Sequence, residues 1–339
     1  MIRGLTTPKK TGIAPNNLMA KNVLTDAVVL AAGQGTRMKS STIKILHEIA
    51  GKSIIRHVVD TLTNLDLDQI HMVVGFQEER VKDNLSDYSD LHFITQEEAL
   101  GTGHAVLQTK SVYMDKPRRN ILVLAGDCPL LSKDTLRNLL DTHDRTGAAA
   151  TVLTTRVEDA GMYGRILRGV NGDIIGIREA RDCSEDELRI QDINTGIYCF
   201  QSDKLFETLD RIGTQNAQAE YYLTDVIEIL SKDKGIVSEA KCLDYQEVEG
   251  VNSRLDLSKV TQYVYKKTNE HWMNNGVSIL APDQCYIDPS VRIGKDSIIH
   301  PFTVIEGDTE IGESCVIGPH VRIKDQVIAP NSTVDKSLY

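Results

Sequence analysis

From Val23 to about Gly250 short apolar runs alternate with amphipathic segments. AVVLAA (27–32), QIHMVVGF (69–76), NILVLAGD (120–127), AAATVLTT (148–155) and INTGIYCF (193–200) read as strands. Between the first two, KSIIRHVVDTLTNL (52–65) sets Ile55, Val58, Val59 and Leu62 at helical spacing. Short apolar strands alternating with helices predict an α/β domain whose mostly parallel sheet is covered on both faces. Ligands of such sheets sit beyond the carboxyl ends of the strands. Gly33 and Asp127 both fall at that end of a predicted strand, so they are expected in one site.

The pattern changes twice after Gly250. SRLDLSKVTQYVYKKTNEHWMNN (253–275) reads as a connecting helix, with Leu257, Val260, Val264 and Trp272 along one stripe. Beyond it, Ile287, Ile293, Ile299, Ile305, Ile311, Ile317 and Ile323 recur every six residues. Small or β-branched residues (Ser297, Thr303, Thr309, Val321) recur near the fifth position of each unit. A hexapeptide period predicts a short parallel β-helix, each flat face sending one isoleucine inward. These units amount to a little over two three-sided coils. The expected partition is a flexible tail over 1–22, an α/β domain over 23–252, a linker helix over 253–276 and the β-helix over 277–339.

Composition narrows the classes. The chain has 339 residues, 41% apolar, which is enough for a full core and for two or three domains. Its 48 acidic and 38 basic residues leave a net charge of −10 with no basic tract, which speaks against nucleic-acid binding. An acidic chain that binds phosphates must place its few cations locally, so Arg37 and Lys44 matter. The six cysteines are scattered without a C-x-x-C pair and read as free thiols in a reducing compartment. No apolar stretch approaches a membrane span, and residues 1–22 lack the apolar centre of a signal peptide. A soluble, cytoplasmic protein without membrane partners is expected.

The Gly-rich stretch Gly33-Gln34-Gly35-Thr36-Arg37-Met38 follows directly on the first strand. A dinucleotide fingerprint requires a third glycine where Met38 stands, and a Walker loop requires G-K-[ST], which is absent. The remaining reading is a loop that wraps a nucleoside triphosphate. Its glycines let backbone approach the phosphates. Arg37 supplies a planar fork for phosphate oxygens, and Lys44 a point charge. LAAGQGTRM followed by Lys44 resembles the signature of sugar-nucleotide pyrophosphorylases. QEEALGTGHAV (96–106), LAGDCPL (124–130), YGRI (163–166), EARDCSEDELRIQDINTGIY (179–198), NAQAEYYLTD (216–225) and EVEGVNSRLDL (247–257) follow in order. Together they resemble the uridylyltransferase domain of the bifunctional enzymes that make UDP-N-acetylglucosamine. Those enzymes also carry a glucosamine-1-phosphate acetyltransferase domain built as a left-handed β-helix. The resemblance spans about residues 24–325.

It implies a Rossmann-like nucleotide-diphospho-sugar transferase domain followed by a short left-handed β-helix. The implied reaction is attack of a sugar 1-phosphate oxygen on the α-phosphorus of UTP, with pyrophosphate leaving. Mg²⁺ is the implied cofactor, with Asp127 and Asn252 as its protein ligands. For Asp127 the alternative is a helix N-cap ahead of Pro129. Leu30, Ala31, Ala32 and Gly33 are expected around uracil and ribose, with Gln96, Gly101 and Thr102 completing the base pocket. Gly33, Gly35, Arg37 and Lys44 are expected on the triphosphate; a solvated helix start is the alternative for the two cations. Gly164, Glu179 and Asn194 are expected to read the sugar. Tyr221 and Tyr222 are either part of this site or core aromatics.

Two positions depart from the family pattern. Ile43 replaces a proline before the lysine, and without that fixed φ the lysine is expected to be less well held. Ala125 replaces a tyrosine frequent beside the sugar site, which bears on sugar preference. His300 and His320 do not match the acetyltransferase base motif, so acetyl transfer is expected to be absent. The β-helix is expected to oligomerise, a homotrimer being the family's arrangement. Rival readings are a pyrophosphorylase for glucose 1-phosphate, or one using dTTP or CTP. A third is an inactive sugar-nucleotide-binding regulatory subunit. Retention of Arg37, Lys44, Asp127 and Asn252 argues for activity, and the EEALGTGHA run for UTP and N-acetylglucosamine 1-phosphate.

Overall fold

The computed structural model describes residues 23–338; the expected N-terminal tail, 1–22, lies outside them. The main path of the large sheet runs Val237–Lys241, Ala150–Arg156, Asp192–Gln201, Asn120–Ala125, Thr25–Leu30, Gln69–Val74, Leu91–Thr95. Thr25–Leu30 pairs in parallel with both neighbours, Gln69–Val74 and Asn120–Ala125. Its Ala27, Val28 and Val29 are fully buried, because side chains on both faces of this strand meet packed layers. Val29 joins Ile55, Val58, Val59 and Leu62 of the helix Ile54–Thr63 on one face. Val28 joins Val123, Phe200 and Val226 on the other. The Ser53 hydroxyl caps that helix by accepting from Arg56 N at 3.4 Å.

Asp192–Gln201 breaks the parallel order, running antiparallel to both Asn120–Ala125 and Ala150–Arg156. The chain between Arg156 and Asp192 forms the antiparallel pair Arg165–Arg168 and Ile174–Arg178 instead of a crossover helix, so it returns in the reverse direction. The first and third apolar runs also outlast their strands. Pairing stops at Leu30 and Ala125, leaving Ala31, Ala32, Gly126 and Asp127 in the turns above. Ala31 N still donates to Val73 O at 2.8 Å and Gly126 N to Leu30 O at 2.9 Å, which holds those turns against the sheet.

The connecting helix is Arg254–Asn274, opened by a capping box between Ser253 and Asp256. Val260 faces a small cluster with Ile49, Ile54 and Val251, whereas Trp272 packs on the C-terminal core. The expected stripe therefore serves two cores in succession.

The β-helix is as expected in kind and longer in extent. Three parallel sheets of four, three and three short strands stack from Ser278–Ile279 to Thr333–Val334, which makes more than three coils rather than two. All seven isoleucines are buried in one column. The first and last inward residues, Ile279, Ile328 and Val334, join that core outside the strict six-residue register, so the period alone passes over them. Ser297, Thr303 and Thr309 are fully buried at the turns. The Thr303 and Thr309 hydroxyls donate to the carbonyls of His300 and Glu306, both at 2.7 Å.

Candidate active site

Four cation-handling residues meet above the carboxyl ends of the central strands. Lys44 lies on the turn Lys44–Leu46, Asp127 just after Asn120–Ala125, and Asn252 just before the connecting helix. The Lys44 ammonium forms an ion pair with Asp127 Oδ2 and donates to Asn252 Oδ1 at 3.0 Å. Arg37 Nη2 donates to the same Asn252 oxygen at 2.8 Å. The Lys44 and Asp127 side chains are 15% and 16% exposed, so the pair is shielded yet reachable from the cleft.

Local sequence explains each placement. Gly35 sits at φ +64°, and a Cβ there would come within 2.5 Å of Lys44 Cβ, so only glycine lets the loop lie on the lysine turn. Ile43 takes φ −63° and ψ 153°, the dihedrals a proline would impose. Its side chain is 1% exposed in the main core. The expected loosening of Lys44 is therefore not found, because burial of Ile43 does the anchoring that a ring would do. Asn252 is held by its own N–H, which donates to Asp256 Oδ2 at 3.1 Å, and by Nδ2, which donates to Gly250 O at 3.1 Å. Val251 N donates to Asp127 O at 2.9 Å, tying the two oxygen-bearing segments together.

The donor set suits a hard divalent cation. One carboxylate and one amide oxygen converge on a position that the Lys44 ammonium already occupies as a cation. Among the described residues no group of three or more His, Cys, Asp or Glu side chains could hold a metal, so an ion held by this pair would need further ligands from substrate or solvent.

A cleft of about 280 Å³ opens beside this group, lined by Leu30, Ala32, Gly33, Gln96, Ala99, Gly101, Thr102, Ala105, Ala125 and Glu220. It gathers most of the residues expected around the nucleoside; Ala31 lies beneath it, 2% exposed. Gly101 sits at φ +112°, and a Cβ there would meet Tyr221 O at 2.6 Å. The segment 216–224 clamps this loop from behind. Tyr221 N donates to Leu100 O and Gly103 N to Tyr221 O, both at 2.8 Å, and Leu223 N donates to the Thr102 hydroxyl at 3.1 Å. Tyr222 is 7% exposed, and the charges that act on its hydroxyl are those of Asp182, Glu179 and Glu220.

Gly164, Glu179 and Asn194 also come together. Asn194 N donates to Gly164 O at 2.9 Å. The Asn194 side chain is largely committed: Nδ2 donates to Tyr198 Oη at 2.7 Å, and Oδ1 accepts from Gly196 N at 3.2 Å. Glu179 accepts from the Thr224 hydroxyl at 3.1 Å. Burial pushes its carboxyl above the usual range, the Thr224 bond opposes that, and the charges of Asp182, Asp225 and Glu220 add to it. Sequence reading passed over Thr224, Tyr198 and His104, although all three stand inside the quoted motifs. Motif spacing shows that a segment matters without showing which side chains face the cleft.

The Gly-rich loop over the central parallel strands, with Arg37 and Lys44 on Asn252 and Asp127, is an arrangement that suits nucleotidyl transfer, and similarity to known proteins assigns that class. Residues 27–224 match the MobA-like NTP transferase domain, and residues 290–325 match the six-repeat bacterial transferase hexapeptide. The chain is 46% identical over 312 residues to the bifunctional protein GlmU of Geobacillus sp. (strain WCH70), covering 92% of this chain and 67% of that one. It is 43% identical over 317 residues to GlmU of Enterococcus faecalis, covering 92% and 69%. It is 42% identical over 312 residues to GlmU of Halalkalibacterium halodurans, covering 92% and 68%. The chain belongs to the GlmU family.

Proposed function

We propose that this protein transfers the uridylyl group of UTP to N-acetylglucosamine 1-phosphate, releasing pyrophosphate and forming UDP-N-acetylglucosamine. The observation that carries the reading is the convergence of Arg37, Lys44, Asp127 and Asn252 past the ends of the strands whose Leu30 and Ala125 line the cleft. A phosphate oxygen of the sugar bonds to the α-phosphorus as the bond to the bridging oxygen of pyrophosphate breaks. No group on the protein becomes covalently attached, so positioning and charge neutralisation do the work. Arg37 and Lys44 take up negative charge on the triphosphate. Asp127 and Asn252 would hold Mg²⁺, which would supply charge neutralisation for the phosphates. With Asp127 so engaged, the Lys44 ammonium would be free to pair with phosphate oxygens. Leu30, Ala31, Ala32 and Gly33 present backbone to the nucleoside, Gln96, Gly101 and Thr102 face the base, and Gly164, Glu179 and Asn194 line the sugar side.

The hexapeptide segment serves assembly as a homotrimer in this reading, and light scattering tests it. It is not expected to transfer acetyl groups. His320 is engaged in a stack on Phe302 with ring centroids 4.8 Å apart, a structural use of the ring. Acetyl-CoA-dependent conversion of glucosamine 1-phosphate by the pure protein would overturn this.

The deciding assay is pyrophosphate release from UTP and Mg²⁺, with N-acetylglucosamine 1-phosphate and glucose 1-phosphate in parallel. Release with the N-acetyl sugar supports the proposal. Release mainly with glucose 1-phosphate keeps the mechanism and moves the substrate, with Ala125 on the cleft wall as the first position to revert. Silence with both, from protein that binds UTP, makes it an inactive binding subunit.

A further inference from the structure

His104 stands between two glutamines. Its Nδ1 lies 3.0 Å from Gln96 Nε2, and its Nε2 lies 3.0 Å from Gln108 Nε2. A neutral imidazole has one N–H and one lone pair, so it cannot accept from both amides. One glutamine has to turn its carbonyl oxygen to the ring. The surroundings decide which. Gln96 is 5% exposed, and its amino group also donates to Gly101 O at 3.3 Å. Turning it would set Oε1 against that carbonyl oxygen, two acceptors face to face with little water to relieve them. Gln108 is half-buried at the end of the helix Thr102–Leu107, and its amino group donates to His104 O at 3.0 Å. Turning Gln108 would likewise bring Oε1 toward His104 O, 3.0 Å from its amino group, but this half-buried side chain can swing toward water to relieve the contact, and that carbonyl still lies 3.3 Å from Gln108 N.

His104 therefore carries its proton on Nε2 and keeps the Nδ1 lone pair for Gln96. The consequence falls on the cleft that Gln96 lines. With both amino hydrogens used, by Nδ1 and by Gly101 O, the Gln96 side chain has only Oε1 to offer a ligand.

We infer that His104, as its Nε2–H tautomer, is a positioning residue that holds Gln96 as a pure acceptor toward the base and so selects a pyrimidine bearing N3–H over cytosine. Uracil presents N3–H, whereas cytosine presents a lone pair at N3, which would face Oε1. Thymine shares the N3–H and is not discriminated by this device. The inference rests on the proposed reading of the cleft as the base pocket.

The test compares kcat and KM for UTP and CTP in the wild type, His104→Phe and His104→Asn. Phenylalanine keeps an aromatic ring beside Tyr221, whose centroid lies 6.3 Å from that of His104, and removes both nitrogens. Losing one oriented hydrogen bond corresponds to about tenfold in binding. His104→Phe is expected to raise the KM for UTP about tenfold, to leave kcat within about twofold, and to cut the UTP-over-CTP preference about tenfold. His104→Asn, whose Oδ1 can accept in place of Nδ1, is expected to restore most of that preference. Nitrogen-15 NMR of the wild-type ring with UTP bound is expected to show the Nε2–H tautomer. A Nδ1–H tautomer there, or equal losses with UTP and CTP in His104→Phe, would overturn the inference and leave the base pocket standing. If His104→Phe does not fold, the asparagine variant and the NMR signal decide. Failure of the wild type to bind UTP would instead remove the base-pocket reading and the inference with it.

Discussion

Lys44 and Asp127 reach each other across 83 residues of chain, and Lys44 and Asn252 across 208. Each pair rests on neighbours that look unremarkable in sequence. Ile43 shows the trade. Ile43→Pro preserves the backbone dihedrals and restricts the unfolded chain, a gain of about 0.4–1 kcal/mol. It also removes a fully buried side chain, which costs about 1–3 kcal/mol. The expected result is a modest fall in denaturant midpoint with kcat/KM within about twofold of wild type. Asp127→Ala removes the carboxylate paired with Lys44 and is expected to lower pyrophosphate release by about 10²–10³-fold or more at an unchanged melting profile. An unaltered rate would remove Asp127 from the cation site. The outcome at Ile43 could not be set from sequence alone, because the compensation there depends on the core beneath it.

At the scale of elements, the cap of the connecting helix doubles as the mount for Asn252. Asp256 Oδ2 accepts from Asn252 N at 3.1 Å and from Ser253 N at 2.9 Å. Asp256→Ala is expected to cost about 1–2 kcal/mol of stability by the loss of a capping box and to raise the Mg²⁺ concentration needed for half-maximal turnover. Magnesium titrations of wild type and variant check this. The strand Gln69–Val74 carries a different liability. His71 is 2% exposed, with neither ring nitrogen hydrogen-bonded among the described residues. Burial, then the charges of His92, Lys116 and Arg119, lower its pKa to about 4 from 6.5. As pH falls below the unfolded value, the unfolded chain takes up a proton that the folded one refuses. Stability is thus full above the unfolded pKa and falls toward the folded one, by up to ~3 kcal/mol. His71→Phe is expected to flatten the fall in melting temperature between pH 7 and pH 5. An equally steep fall in the variant would place the effect elsewhere, His143 being the next buried histidine lowered to about 4. The helical spacing of Ile55, Val58, Val59 and Leu62 was readable before folding. The loneliness of His71 was not, since it arises from strands that pair only in the sheet.

The whole molecule divides its cores. The β-helix column is separate from the two clusters flanking the large sheet, and the small group of Ile49, Ile54, Val251 and Val260 lies between the domain and the connecting helix. Ile305→Ala, in the middle of the column and fully buried, is expected to cost about 2–5 kcal/mol. That loss is expected to appear as early melting of the hexapeptide segment and, under the proposed homotrimer, as a smaller species in light scattering. Initial rates of pyrophosphate release at 25 °C should stay within about twofold, because no column residue reaches the cleft. A proportionate loss of activity would instead mean that assembly supports the site.

What the chain alone determined follows from local physics. Apolar runs of strand length, helical spacing and a six-residue period each report which face of an element must be buried, and burial is the dominant force. The glycines and cations of residues 33–44 were legible for the same reason, since a tight approach and a local charge demand particular residue types. Tertiary structure decided the rest. It reversed the strand Asp192–Gln201, extended the β-helix past its strict period, and let buried Ile43 stand in for proline. It also set His104 between two amides that cannot both donate to it. These outcomes depend on partners distant in sequence or on contacts the pattern does not encode. Hydrogen-bond direction and packing are properties of the assembled neighbours, so no single segment carries them.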